Sequence, residues 1–142
     1  MTSLQPDSLL PTLTQRRAHS GRFAIRVDSA HEYSMKYSVR LGQVFPLRVR
    51  KLHISAWAWV PRFEDDAALI TAVSAPNEPD RTVLYRAYPL ADAGPYEKWK
   101  PLDFYIDMPF EAGYNSQLTL YMWRRQAQQP VYLDDLRITE IR

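Results

Sequence analysis

Along residues 53–60, aliphatic side chains alternate with other residue types, and this constrains the fold more than any other feature of the sequence. Successive side chains of an extended strand point to opposite faces, so the alternation predicts a strand with one buried face. The aliphatic side chains that predict the core face are Ile54, Ala56, Ala58 and Val60. Trp57 and Trp59 share the opposite parity. Two adjacent indoles there would either stack on a ligand with apolar faces and polar edges, such as a sugar ring, or pack under a neighbouring loop.

Similar alternation recurs at short spacing along the rest of the chain. We predict about eight or nine strands, and the ranges that carry them are 22–28, 33–41, 52–60, 68–75, 82–88, 102–108, 117–124 and 131–141. Residues 76–80 predict a turn, and residues 91–101 a loop that carries Trp99. The 11 Pro are spread throughout, and the 9 Tyr and 4 Trp favour strands over helices. The pattern predicts an all-β fold, a two-sheet antiparallel β-sandwich or jelly roll.

The length of 142 residues suits one hydrophobic core. We expect a flexible tail or linker over residues 1–12 and a single β-sandwich domain over residues 13–142. The net charge of +2, from 18 basic and 16 acidic residues, is too balanced to indicate a polyanionic partner. Nucleic-acid binding is therefore not expected, although Arg124 and Arg125 adjoin Trp123.

The sequence also bears on compartment. It contains no cysteine, which excludes disulfides and thiolate chemistry. The longest apolar run, residues 67–75, is too short to span a membrane, so no membrane insertion is expected. Residues 1–11 lack the apolar segment of a signal peptide. A function outside the cell would therefore require a signal that was removed or that lies in a longer parent chain, and we expect a longer secreted protein.

Nothing in the sequence nominates a catalytic centre. It has three His, at positions 19, 31 and 53, and lacks the motifs of serine hydrolases, zinc proteases and P-loop nucleotidases. Asp103 and Asp107 share the outward parity of one predicted strand, where solvated charges are usual. We expect a protein that is not an enzyme.

Four segments, in order, resemble motifs of jelly-roll carbohydrate-binding modules. Residues 18–27 resemble the A-x-S-G-x-x-S-x-x-V strand, and residues 53–57 resemble the x-x-S-A-W-V strand. Trp99 with residues 102–109 resembles W-x-x-x-x-F-x-x-P, and residues 131–136 resemble the closing V-Y-I-D-D-V. The resemblance runs from about Thr14 to Ile141. It implies the galactose-binding-like β-sandwich of the xylan- and glucan-binding modules attached to bacterial glycoside hydrolases.

The resemblance also implies a site. The tryptophan of the S-A-W strand, here Trp57, stacks on sugar in the concave cleft of xylan-binding members. A groove on one concave sheet would add Trp59 and, from a late strand, Tyr121 and Trp123. The hydrogen-bonding groups expected beside them are Arg86 and Tyr88. The alternative for Tyr121 and Trp123 is that they fill the sandwich or contact a partner. Under the groove hypothesis, Trp57→Ala would abolish ligand retention with little loss of fold.

Many such modules hold a structural calcium ion, and two of its ligands have counterparts here. The resemblance assigns the carboxylate of Asp134 and the backbone carbonyl of Arg22 to such a site. His19 departs from the pattern, because it stands where a carboxylate is expected and neutral imidazole is a poor calcium ligand. A structural calcium is therefore possible, and no cofactor is required.

These observations predict a carbohydrate-binding module that binds a poly- or oligosaccharide on an aromatic face. The rival prediction is a protein-interaction or structural module of a larger extracellular bacterial protein, with no sugar ligand, because exposed Trp, Tyr and Arg also dominate protein interfaces. In both cases other domains of a parent protein are expected partners, and the expected location is extracellular or periplasmic.

Overall fold

The computed structural model describes residues 13–14, 24–34, 36–45 and 47–141. Within these ranges the chain forms nine strands and one short helix, which are β1 (Leu13–Thr14), β2 (Ala24–Val27), β3 (Tyr37–Arg40), α1 (Leu41–Val44), β4 (Lys51–Trp59), β5 (Ala68–Ala75), β6 (Glu78–Pro89), β7 (Trp99–Asp107), β8 (Gln117–Trp123) and β9 (Val131–Ile141). No described helix is long and apolar enough to cross a bilayer. The predicted tail over residues 1–12 lies outside the described residues.

The strands form two antiparallel sheets. The five-stranded sheet has the order β1-β2-β9-β4-β7, and the four-stranded sheet has the order β3-β8-β5-β6. Neighbours within each sheet are mostly distant in sequence, as in a jelly roll, where the chain crosses repeatedly between the two layers. The predicted all-β, two-sheet antiparallel sandwich is confirmed.

The core lies between the sheets and is built by the aliphatic parity of each strand. In β4 every second residue from Leu52 to Ala58 is buried, and in β8 every second residue from Leu118 to Met122 is buried. The alternation along 53–60 therefore does mark one buried and one outward face. Burial of these side chains is the main stabilising term, at about 25 cal/mol per Å² of apolar surface removed from water.

Two connections differ from the sequence-based prediction. The turn predicted over residues 76–80 is shorter, because β5 ends at Ala75 and β6 already begins at Glu78. Pro79 is tolerated within β6 because this is an edge strand, where a missing amide donor leaves no partner unpaired. The loop predicted over residues 91–101 is also shorter, because Trp99 opens β7 and pairs with Trp59.

Candidate functional site

The predicted single groove is wrong, because its four aromatic residues lie on two different sheets. Trp57 and Trp59 point outward from the five-stranded sheet, and Tyr121 and Trp123 point outward from the four-stranded sheet. The two outer faces are on opposite sides of the sandwich. Alternation identifies the buried face of a strand, but it does not reveal which sheet the strand joins.

Arg86 and Tyr88 do not flank an outward groove as predicted. They pair with Thr71 and Leu69 of β5, so they share the parity of the core-facing residues. The Tyr88 ring stacks on Phe104 of the opposite sheet with ring centroids 4.0 Å apart, and burial raises the pKa of its hydroxyl. The Arg86 side chain reaches solvent because β6 is an edge strand. Its guanidinium donates a hydrogen bond to the Tyr85 carbonyl at 3.0 Å.

Four aromatic residues instead gather on the outer side of the four-stranded sheet: Tyr33, Tyr85, Tyr121 and Trp123, which we call the aromatic platform. The rings of Tyr33 and Trp123 lie nearly parallel, with an interplanar angle of 13° and centroids 6.2 Å apart. Tyr33 meets Tyr121 edge to face at 6.0 Å. Tyr33 and Tyr85 are 53% and 49% exposed, so the platform offers ring surface to solvent.

Tyr33 reaches the platform through an irregularity beside β3. Tyr33 pairs with Trp123, whereas Tyr37 pairs with Leu120, so four steps on one strand match three on the other. One extra residue reverses the parity, and Tyr33 faces outward while Tyr37 packs against the core. Ser34 fixes this arrangement, because its buried hydroxyl accepts the Met122 amide at 2.8 Å.

The outward side chains of the central strand β5 lie between the rings of the platform. Its outward residues are small or aliphatic, and among them Ala68 and Ile70 are completely buried. Tyr121 pairs with Ile70, and Tyr85 pairs with Ala72 from the other side. Burial raises the pKa of the Tyr121 hydroxyl and its tyrosine neighbours raise it further, so this hydroxyl stays neutral and able to donate.

A buried carboxylate holds the loop that follows the platform. Asp65 is fully buried and accepts hydrogen bonds from the amides of Gln128 and Gln129, at 2.9 and 3.0 Å. Arg62 adds an ion pair at 3.1 Å. Burial raises the pKa of Asp65, but these hydrogen bonds together outweigh it and leave the pKa below its ordinary value. The loop after β8 is thereby tied to the turn before β5.

Polar groups surround the indole of the platform. Trp123 Nε1 donates to Glu32 Oε1 at 3.5 Å. The Arg125 guanidinium lies 5.9 Å from the centroid of the indole and pairs with Asp66 at 3.3 Å. An indole with a carboxylate at its N–H group and a guanidinium over the ring combines an apolar surface with groups that can form hydrogen bonds with hydroxyls.

The aromatic side chains on the outer face of the five-stranded sheet are arranged differently. Trp59 and Trp99 meet edge to face, with ring centroids 5.9 Å apart. All three indoles of this face, those of Trp57, Trp59 and Trp99, have interaction partners. Tyr132 and Asp134 point outward, yet they are only 6% and 9% exposed. The indoles of this face are therefore engaged within the chain, whereas the Tyr105 ring, stacked on His53, is 60% exposed.

A β-bulge shapes the same face beside Trp57. The register of β4 against β9 shifts between Ser55 and Trp57, and Asp135 takes the left-handed conformation with φ 54°. The Asp135 amide donates to its neighbour Asp134 at 2.8 Å, which supports this conformation locally. The bulge opens a depression of about 480 Å³ between Trp57, Asp103 and Arg137.

The calcium site stays a prediction. Among the residues that the structure describes, no group of three or more His, Asp or Glu side chains could hold a metal ion. Asp134 is nearly buried and partnered, and Arg22 lies outside the described residues.

Tyr33 and Tyr85 are the two members of the platform that sequence reasoning missed. Tyr33 has the parity of core residues in a regular strand, and only the extra residue beside β3 turns it outward. Tyr85 could have been found from Leu84, because the neighbour of a buried residue on an alternating strand faces outward. Apolar side chains on both parities of residues 83–88 obscured that signal.

Comparison with known proteins gives likenesses of structure alone. No family model matches the sequence, and neither does any curated protein. A solved family 16 carbohydrate-binding module is similar, with TM-score 0.60 and 11% identity over 90% of this chain and 84% of that one. The xylan-binding domain CBM22-1 of Paenibacillus barcinonensis Xyn10C gives 0.56 and 19%, covering 92% and 80%. The C-terminal family 22 module of Clostridium thermocellum Xyn10B gives 0.54 and 12%, covering 90% and 78%.

These likenesses confirm the predicted jelly-roll β-sandwich. The chain has the jelly-roll sandwich of carbohydrate-binding modules, and it spans most of the length of the modules named above. At identities below 20%, these likenesses show the fold alone.

Proposed function

We propose that this protein is a non-catalytic carbohydrate-binding module that binds a poly- or oligosaccharide on the aromatic platform. The observation that carries the proposal is the nearly parallel pair of Tyr33, which is exposed, and Trp123, which is half-buried, on the outer face of the four-stranded sheet. Sugar rings present apolar C–H faces and polar edges. A ring pair flanked by hydroxyl, carboxylate and guanidinium groups complements both.

The rigidity of the platform supports the same proposal. Trp123 and Tyr121 stand on a strand in the middle of the sheet order, and Ser34 and Asp65 fix the segments beside them. Groups held in place before the ligand arrives lose little conformational entropy on binding. The similarity in fold to xylan-binding domains agrees with a glycan ligand. We propose that the chain works as part of a longer secreted protein.

Affinity electrophoresis in gels containing soluble xylan, β-glucan or mannan tests this function. We expect one polysaccharide to retard the wild-type protein, and Trp123→Ala or Tyr33→Ala to remove the retardation, because stacking on each ring is lost. Trp57→Ala is the matched control from the opposite face, and circular dichroism checks that all variants fold.

Retardation lost in Trp57→Ala and kept in Trp123→Ala would move the site to the five-stranded sheet, as the S-A-W resemblance predicts. No retardation by any polysaccharide would contradict the proposed function. It would favour the protein-interaction module instead.

A further inference from the structure

The outer side of the four-stranded sheet carries cations that pair with no carboxylate of the described residues. The Lys36 ammonium lies 5.0 Å from the centroid of the Tyr121 ring and is exposed. Arg40 is exposed two outward positions further along the same edge strand. Neither side chain forms an ion pair with any carboxylate of the described residues. Positive charge is therefore available along one border of the platform.

A strip of neutral hydrogen-bonding groups connects these cations to the rings. Ser38 and Thr119 pair across β3 and β8, and their hydroxyls lie 3.2 Å apart. The Gln117 side-chain amide donates to Ser38 at 3.3 Å. A chain of sugars that stacks on the rings could place hydroxyls on this strip and an acidic group beside Lys36 or Arg40. Hydroxyl, amide and cationic groups together suit a sugar that carries a carboxylate better than an uncharged sugar.

On the opposite face, two basic side chains of β4 are paired with acids of β7. There Lys51 pairs with Asp107 at 3.9 Å, and His53 pairs with Asp103 at 2.7 Å. Both of these basic side chains are already matched by acids of the neighbouring strand. Arg137 is an exception, because it is exposed on this face and forms no ion pair with a carboxylate of the described residues.

We propose that the platform recognises an acidic glycan, one whose sugars carry uronic carboxylates. The inference rests on the proposed function, and it narrows the ligand to a chemical class. Lys36 and Arg40 supply the charge, and Arg40 can bind a carboxylate through two parallel N–H groups.

Two acids at the other end of the platform argue for a glycan over a nucleic acid. Glu32 contacts the indole of Trp123, and Asp66 pairs with Arg125 beside it. These carboxylates can accept hydrogen bonds from sugar hydroxyls, but they would repel a phosphate at each step of a backbone. The net charge of +2 is also small for a protein that tracks a polyanion.

Calorimetric titration with matched pairs of oligosaccharides tests the inference. Each pair contains an acidic oligosaccharide, from galacturonan, alginate or glucuronoxylan, and the same chain with its carboxylates reduced to alcohols. We expect at least one acidic member to bind about fivefold to tenfold more tightly than its reduced form. The preference should shrink at high salt and vanish in the Lys36→Gln, Arg40→Gln double variant. Lys51→Gln, which removes one cation from the opposite face, should keep it.

The outcomes separate this inference from the proposed function. Binding with equal or greater affinity for the reduced chains would overturn the acidic-glycan inference and leave carbohydrate binding intact. Binding of no member of any pair, and of no neutral polysaccharide, would overturn both. Tighter binding of a single-stranded DNA oligonucleotide than of every acidic glycan would overturn the inference in favour of a nucleic-acid ligand.

Discussion

The two outer faces of the sandwich both carry aromatic rings on rigid strands, but they differ in how the exposed rings are grouped. On the five-stranded sheet the indoles have partners, outward Tyr132 is nearly buried, and the exposed ring is that of Tyr105, stacked on His53. On the four-stranded sheet Tyr33 and Tyr85 are about half exposed. The number of aromatic residues on a face therefore says less about ligand binding than their exposure and the pairing of the charges around them.

The largest effect is expected from the carboxylate that holds the loop after β8. Asp65→Ala takes away the buried acceptor of the Gln128 and Gln129 amides and removes the partner of Arg62. We expect the free energy of unfolding to fall by about 3 kcal/mol in urea titrations. Glycan affinity should fall as well, because the anchored loop carries Arg125. A decrease in the free energy of unfolding smaller than half of that value would show that Asp65 does not anchor the loop after β8.

The pH dependence of stability sharpens the same prediction. A carboxyl whose pKa is lower in the folded state than its ordinary value of 3.8 stabilises the fold above that value. This stability is lost as the pH falls through the folded-state pKa. Unfolding midpoints of the wild type should therefore decline in acid more steeply than those of Asp65→Ala. Some slope should remain in the variant, because the pKa of Asp28 is also lowered.

An intermediate effect is expected at Ser34, which positions Tyr33. Ser34→Ala leaves the Met122 amide without this acceptor, at a cost of about 1–3 kcal/mol. Glycan affinity should fall too, because Tyr33 loses its fixed place beside Trp123. Ser38→Ala is the matched control, since its hydroxyl is exposed and its loss should change stability by less than about 0.5 kcal/mol. Equal stability of the two variants would contradict a positioning role for Ser34.

The smallest effect is expected on the five-stranded face. Asp103→Asn removes the charge that pairs with His53, but Asp103 is 58% exposed. Exposed ion pairs contribute about 0–1 kcal/mol, so the free energy of unfolding should change by less than about 1 kcal/mol. Glycan affinity should stay at the wild-type value. A loss of affinity in this variant would mean that the ligand also contacts this face.

Much of the fold followed from the sequence, because alternation and turn residues are local signals. The bounds of β5 and β9 match the predicted ranges 68–75 and 131–141, and the buried parity of β4 is as predicted. The site was less predictable because it depends on sheet membership. β4 and β8 alternate alike, yet they belong to different layers, and that assignment arises from long-range pairing. One extra residue beside β3 then reversed the side on which Tyr33 lies.

The indole N–H signals in a two-dimensional ¹H–¹⁵N NMR spectrum test the central claim most directly. The chain has 4 Trp, and Trp123 alone among them stands on the four-stranded sheet. During titration with the glycan that retards the protein in gels, we predict that the Trp123 signal shifts with saturation while those of Trp57, Trp59 and Trp99 stay in place. Saturable shifts of Trp57 and Trp59 with an unchanged Trp123 signal would contradict the account and put the ligand on the opposite face.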